Sequence, residues 1–258
     1  MHQPLDLRND SDLTDAQWQA IEPMLRDQRL RKHALRDLLN ALFYVTKGGI
    51  QWRMLPKTYP PWQTVYYHLR RWKASGLLER INHALREAVR RKAGRDASPS
   101  AAVIDSQSVK TTHVGGPRSF DGGKRISGRK RHILTDTLGL LLAVLVHPAG
   151  INDSQRAPHL LDRIQGLVPR LEVIFADQGY AATPTGLIWR VFGWLWHVVE
   201  REPGQKGFVV LKKRWVVERT FAWLGLSRRL SKDYEVLPEI SEAMVLLASI
   251  RLMVRRLA

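Results

Sequence analysis

Residues 101–110 read AAVIDSQSVK: four apolar residues in succession, then a carboxylate, Asp105, and a polar continuation. An apolar run of that length bounded by polar residues predicts a short buried strand that ends at Asp105. Working downstream, residues 131–137 and 140–146 predict two more strands joined by a turn at Leu138-Gly139, and residues 154–168 are helix-like. LEVIFA (171–176) predicts a buried strand ending at Asp177, followed by a helix over 184–194, a fifth strand over 195–200, and long helices over 213–229 and 239–257. Three strands and then an alternation of helices and strands point to an α/β layered domain with a mixed sheet.

Upstream, KAGRDASPS (92–100) is polar and carries Gly and Pro, which marks a linker. Before it lies a run that reads as helical throughout. Thr14-Asp15 can cap a helix bearing Trp18, Ile21 and Leu25, and Leu35 to Val45 signal a second helix that should stop at Gly48-Gly49. Pro60-Pro61 suits the start of a third, over 62–74, with Val65, Tyr66, Leu69 and Trp72 inward and Arg70, Arg71 and Lys73 outward. A fourth covers 77–91. The expected division is therefore a small all-α, helix-turn-helix-like unit over 1–95 and an α/β domain over 96–258.

Charge narrows the partner. The chain of 258 residues carries 41 Lys+Arg against 24 Asp+Glu, a net of +17, with 44% hydrophobic residues and no cysteine. Disulfides, thiolate metal sites and cysteine nucleophiles are excluded at once. Residues 1–95 hold 18 cations and nine acids, so both halves are basic, as a polyanion-binding protein requires. The longest apolar stretches, 138–146 and 243–250, fall short of the roughly 20 residues of a spanning helix. With no secretory leader legible at the N-terminus, the expected location is cytoplasmic, and nucleic acid is the expected partner.

The chemistry must come from carboxylates, since no phosphate loop, nucleophile elbow or paired-histidine metal motif is present. Asp105 and Asp177 each follow an apolar strand, and ligands of open α/β sheets gather at such edges. Either alone could be a turn or capping residue; together they can face one site. Glu218 adjoins an inward stripe of Val217, Phe221 and Leu224, with an ion pair to Arg214 as its alternative role. Three carboxylates suit a pair of Mg²⁺ ions, hard cations that favour oxygen ligands, and such a centre can hydrolyse or transfer phosphodiesters. The glycine-rich segment 110–131 contains seven cations, among them Lys124, Arg125, Arg129, Lys130 and Arg131, against Asp121 alone, and can clamp DNA phosphates. Asp136, beside a turn, and Asp153, before a helix where it or Ser154 can act as a cap, are expected to be structural.

VIDSQSVK (103–110), FADQGY (175–180) and RWVVERTFAWL (214–224) resemble the DDE transposases of bacterial insertion sequences, in the insertion sequence five group and the related insertion sequence four superfamily. PPWQTVYYHLRRW (60–72), GRKRHILTDTLGLLL (128–142) and RRLSKDYE (228–235) extend the resemblance over roughly residues 12–258. It implies an RNase H-like catalytic domain with Asp105, Asp177 and Glu218 as catalytic metal ligands and Mg²⁺ as cofactor with Mn²⁺ as a substitute; the cations expected to bind DNA are Arg70, Arg71, Lys73, Lys124, Arg125, Arg129, Lys130, Arg131, Arg214 and Arg219. The implied activity is binding of terminal inverted repeats, metal-dependent cleavage and strand transfer into target DNA, by a homodimer or larger assembly on the bacterial nucleoid. The alternatives are a catalytically silent DNA-binding regulator and a nuclease that cuts without joining. Relatives often carry Y-x₂-R-x₃-E-x₆-K around the glutamate; Arg214 fits, but Leu211 and Gly225 replace Tyr and Lys, leaving Arg219, Arg228 and Arg229 as nearby substitutes.

Overall fold

Gly49 adopts φ 70° and its N–H returns to the Val45 carbonyl, so the helix before it, α2 (Leu35–Gly48), stops where the glycine pair predicts. The computed structural model describes residues 9–25, 32–113, 115–199 and 215–258. Around α2 lie α1 (Asp15–Leu25), α3 (Trp62–Ala74), which begins directly after Pro61, and α4 (Leu77–Lys92). The Thr14 hydroxyl accepts from the Gln17 N–H at 3.3 Å and the Gln17 side chain accepts from the Thr14 N–H at 3.2 Å, a reciprocal cap for α1.

The α/β part is one six-stranded sheet. Its strands are β1 (Ala101–Lys110), β2 (Ser119–Asp121), β3 (Ile126–Asp136), β4 (Leu141–Pro148), β5 (Val173–Ala176) and β6 (Leu195–Val198). Across the sheet the order is β4, β3, β1, β5, β6, with short β2 beside β4 on the outer edge of β3. β3 is antiparallel to β1, β2 and β4, whereas β1, β5 and β6 run parallel. Three antiparallel strands followed by two parallel ones, with a helix before each of the last two, is the RNase H-like arrangement. Helices α5 (Asp153–Asp162) and α6 (Thr185–Phe192) cover the face that carries Ala102, Ile104 and Leu134. Helices α7 (Trp215–Gly225) and α8 (Pro238–Leu257) cover the face that carries Val103, Ile133 and Val144. The period-two alternation of β1 divides its side chains between these two cores.

Several expected boundaries shift. β1 continues five residues past Asp105, because β3 pairs with it as far as Lys110. β3 starts at Ile126 rather than 131, and its charged residues 129–131 did not read as strand because their side chains satisfy buried carbonyls instead of water. α5 ends at Asp162, and α7 gives way after Gly225 to a 3₁₀ turn at Arg228–Leu230. Glu200, Leu211, Lys213 and Arg214 lie outside the described residues.

α8 is apolar nearly all round, with every residue from Ile240 to Ile250 buried, so it must be enclosed rather than laid on a surface. It packs on α1 to α4 from one side and on β4 and α7 from the other, and one hydrophobic cluster runs from Ile21 through Leu42, Leu69 and Leu85 to Val144 and Met253. Polar ties cross the same junction. Asn82 of α4 donates to the Leu141 carbonyl at 2.8 Å and accepts from the Ser249 hydroxyl at 2.9 Å. Glu242 accepts from the Val146 N–H, from both Arg163 guanidinium nitrogens and from Lys73. Arg90 bonds wholly buried Asp136 at 2.6 Å, and that carboxylate also accepts the Leu138 and Leu140 N–H groups across the β3–β4 turn, the structural role expected of it. Removing either member of the pair leaves a buried charge uncompensated, at a cost of about 3–5 kcal/mol.

Candidate active site

The parallel register of β1 and β5 decides the geometry. Val103 is paired with Phe175, and that is the last rung. The next positions on the same face are Asp105 and Asp177, on strands whose backbones lie about 4.8 Å apart. Because β5 stops at Ala176 while β1 continues, the two carboxylates stand at a crevice at the carboxyl end of β5. Each is oriented by backbone. The Ser106 N–H donates to Asp105 Oδ1 at 2.7 Å, and Asp177 caps the 3₁₀ turn Gln178–Tyr180 by accepting the Gly179 N–H at 2.9 Å. Asp105 is therefore in mid-strand rather than at a strand end, and the open edge comes from the shortness of β5.

Glu218 lies in the first turn of α7, the helix that covers this face of the sheet and packs on β1 and β3. Val217 and Leu224 are buried and Phe221 partly so, while Glu218 itself is exposed. The neighbouring side chain is firmly held: the Arg219 guanidinium sits between the Trp215 and Trp223 rings, at 4.4 and 4.5 Å from their centroids, and donates to the Leu138 carbonyl. The chemistry of the acids, all hard oxygen donors, fits a divalent cation, and Asp105 and Asp177 are adjacent by register. Among the described residues no three His, Asp or Glu side chains stand close enough together to hold a metal ion.

Behind the aspartates, on the α5 face, is a polar cluster that sequence reading missed. Tyr180 is fully buried and in hydrogen-bond contact with His132 Nδ1 at 3.0 Å, and the His132 and His147 rings lie 4.7 Å apart. Burial raises the Tyr180 pKa well above its usual value, and the charges of Asp153, Asp105 and Asp177 add to the effect. Burial likewise pushes His147 down to about 4, with His132 contributing, and lowers His132. A histidine whose folded pKa lies below its unfolded value costs nothing above the unfolded pKa and removes stability as pH falls between the two, because only the unfolded chain takes up the proton. Resistance to urea unfolding is accordingly expected to decline from about pH 6.5 to about pH 4, and His147→Phe should flatten the profile in that window.

The candidate DNA-contacting cations divide into two groups. Lys124 and Arg125 are exposed on the turn between β2 and β3, and Arg70 and Arg71 are exposed on α3 beside a groove of about 540 Å³ lined also by Tyr67, Arg163 and Glu239. Four of the others, Lys73, Arg129, Lys130 and Arg131, are committed inside the protein, while Arg219 is stacked on two tryptophans and Arg214 lies outside the described residues. Arg129 is 0% exposed, pairs with Asp233 at 3.3 Å and donates to the carbonyls of Pro117, Glu235 and Val236. Arg131 donates to the Leu230 and Lys232 carbonyls, Lys130 pairs with Asp153 at 2.8 Å, and Lys73 is held between Glu79 and Glu242. Spacing cannot distinguish these groups, because a cation bonding a distant carbonyl has the same local sequence as one facing solvent. Asp153 is the first residue of α5 rather than its cap, which is Asn152.

Residues 13–82 match the family model described as "Putative transposase of IS4/5 family", and residues 96–253 match "Transposase DDE domain". The chain is 33% identical over 165 residues, 59% of its length and 76% of the relative's, to a Burkholderia cepacia protein named "Putative transposase for insertion sequence element IS402". A 16.2 kDa protein of the same element is 28% identical over 113 residues, 40% of this chain and 76% of its own. Among solved structures, the Mos1 strand transfer complex aligns over 90% of this chain and 79% of that one at 13% identity and a TM-score of 0.32, too distant to inform the site.

Proposed function

The chain belongs to the DDE transposases of the IS4/5 type, enzymes that move DNA, and from that premise we propose that Asp105, Asp177 and Glu218 are its catalytic metal ligands. The observation that carries the assignment is the register that sets Asp105 and Asp177 side by side on the face covered by α7. The family is metal-dependent; we assign two Mg²⁺ ions, replaceable by Mn²⁺. When bound, such ions supply Lewis-acid stabilisation of the phosphodiester oxygens. The protein's own part is to present the acids at the strand edge, aim Asp105 and Asp177 through the Ser106 and Gly179 amides, and keep the backbone of the bound duplex near them.

Residues 1–95 serve in this reading as the unit that recognises the terminal inverted repeats, and residues 96–258 as the catalytic domain. In the same reading exposed Lys124 and Arg125 make strand contacts beside the sheet, exposed Arg70 and Arg71 make contacts from α3, and Arg219, stacked on its two tryptophans, contacts phosphate. Hydrolysis of a phosphodiester at the element's end frees a 3′-hydroxyl, and that oxygen then displaces another 3′-oxygen from a target phosphodiester. Two ends must be joined to one target, so a homodimer or larger assembly on the nucleoid is the working form. No helix among the described residues is long and apolar enough to cross a membrane.

The test uses duplex oligonucleotides carrying the DNA that flanks the reading frame, with and without Mg²⁺. Specific nicking at the repeat boundary and joining of that end to a supercoiled plasmid are the expected products. Nicking without joining would reassign the protein as a nuclease, and specific binding with no nicking as a regulator.

A further inference from the structure

Asp153 stands at the N-terminal end of α5, on the face of the sheet opposite the paired aspartates, and both of its oxygens are in use. Oδ1 accepts from Lys130 Nζ at 2.8 Å and lies 3.5 Å from His132 Nε2; Oδ2 accepts from the Ser106 hydroxyl at 2.9 Å. A carboxylate so occupied is poorly suited to be a principal metal ligand, yet its partners lie directly behind the site. Ser106 follows Asp105 in β1 and donates its own N–H to the Asp105 carboxylate. Alternation along the strand puts the two side chains on opposite faces, so a grip on Ser106 fixes Asp105 from the rear.

The same residue reaches the other aspartate. A Cβ built on Gly179 would lie 3.4 Å from Asp153 Oδ2 and 3.0 Å from Asp177 Oδ1, so the side of Gly179 that lacks a side chain faces both carboxylates. Tyr180, next in the chain, meets His132, which Asp153 also faces. Asp153 thus bonds β1 beside one catalytic aspartate and β3 at Lys130, faces His132, and lies alongside the turn that carries the other aspartate. Burial opposes its charge, but His132, Lys130 and Ser106 outweigh that effect and hold its carboxyl well below the usual carboxylate range, so it stays ionised.

We propose that Asp153 is a positioning residue that fixes the separation of Asp105 and Asp177, through the Ser106 hydroxyl on one side and the Gly179 backbone on the other, and thereby sets the affinity of the site for divalent metal. This inference rests on Asp105 and Asp177 being metal ligands, and the experiment separates the two ideas. Mn²⁺ binding to the full chain is measured from the paramagnetic resonance signal of the free ion, alongside thermal melting and metal-free binding to a repeat duplex. Asp153→Ala is expected to weaken Mn²⁺ binding on the order of 10- to 100-fold, the usual effect of removing a partner behind a metal ligand, with duplex binding unchanged. Ser106→Ala should weaken it in the same direction, Ser106→Thr should retain it, and the Asp153→Ala and Ser106→Ala effects should be less than additive because they break one contact. Mn²⁺ affinity within twofold of the parent in Asp153→Ala, while Asp105→Ala loses it, overturns the positioning role alone. If Asp105→Ala also keeps full affinity, the metal-ligand reading fails with it. Should Asp153→Ala not fold, the Ser106 pair decides: equal affinity in the alanine and threonine variants overturns the proposal.

Discussion

Asp177→Asn is expected to lower metal-dependent nicking of a repeat duplex by about 10³-fold or more, with duplex binding retained. A thousandfold corresponds to about 4 kcal/mol of lost transition-state stabilisation, the several-kcal/mol scale on which bound metal ions act. The substitution preserves size and the oxygen that can still accept the Gly179 N–H, so the turn should survive and only the charge is lost. Asp105→Asn should match it, since the register makes the two positions equivalent neighbours. The double variant should be little worse than either single one, because the residues act as a unit. DNA binding should persist or tighten, as the change removes a negative charge from a surface that meets phosphates. Single-turnover nicking followed on gels measures the effect, and a rate within tenfold of the parent for either variant would remove the aspartate from the mechanism.

The second large effect is set by salt. A net charge of +17 with exposed cations on two surfaces suits a footprint of roughly 6–10 phosphates, for which affinity falls by about 10³–10⁵ between 50 and 200 mM salt. The structure assigns different consequences to arginines that look alike in the chain. Alanine at Arg70, Arg71, Lys124 or Arg125 should each reduce the slope of log affinity against log salt by about one and leave melting unchanged. Arg129→Ala should leave the slope and lower the melting temperature instead, because its guanidinium bonds three carbonyls and Asp233 in the interior. Fluorescence anisotropy at a series of salt concentrations gives the slopes. A flat salt dependence would exclude phosphate contacts as the source of affinity, and a changed slope in a normally melting Arg129 variant would mean that the buried placement does not persist on DNA.

The parts of the fold that were legible in the sequence are those determined locally. Gly48-Gly49, Pro60-Pro61 and the apolar run at 171–176 name their own elements, since φ restrictions and burial act over a few residues. β3 was half hidden because Arg129, Lys130 and Arg131 are compensated by carbonyls and acids elsewhere in the chain. Asp105 and Asp177 could be picked out as acids after apolar strands, but their alignment depends on a register that only strand pairing sets. Asp153 read as a cap because its three partners, at 106, 130 and 132, are brought to it only by the sheet.

The burial of α8 among the first four helices has a consequence for synthesis. α4 is complete about 145 residues before α8 begins, and Leu42, Leu69 and Leu85 rest on a core that α8 completes. At translation rates of about 5–20 residues per second, the amino-terminal helices therefore wait roughly seven to thirty seconds on the ribosome with a greasy flank uncovered. A chain interrupted after the sheet would leave that flank bare and become a substrate for chaperones and proteases. Truncated products should then be cleared rather than accumulate as free amino-terminal fragments.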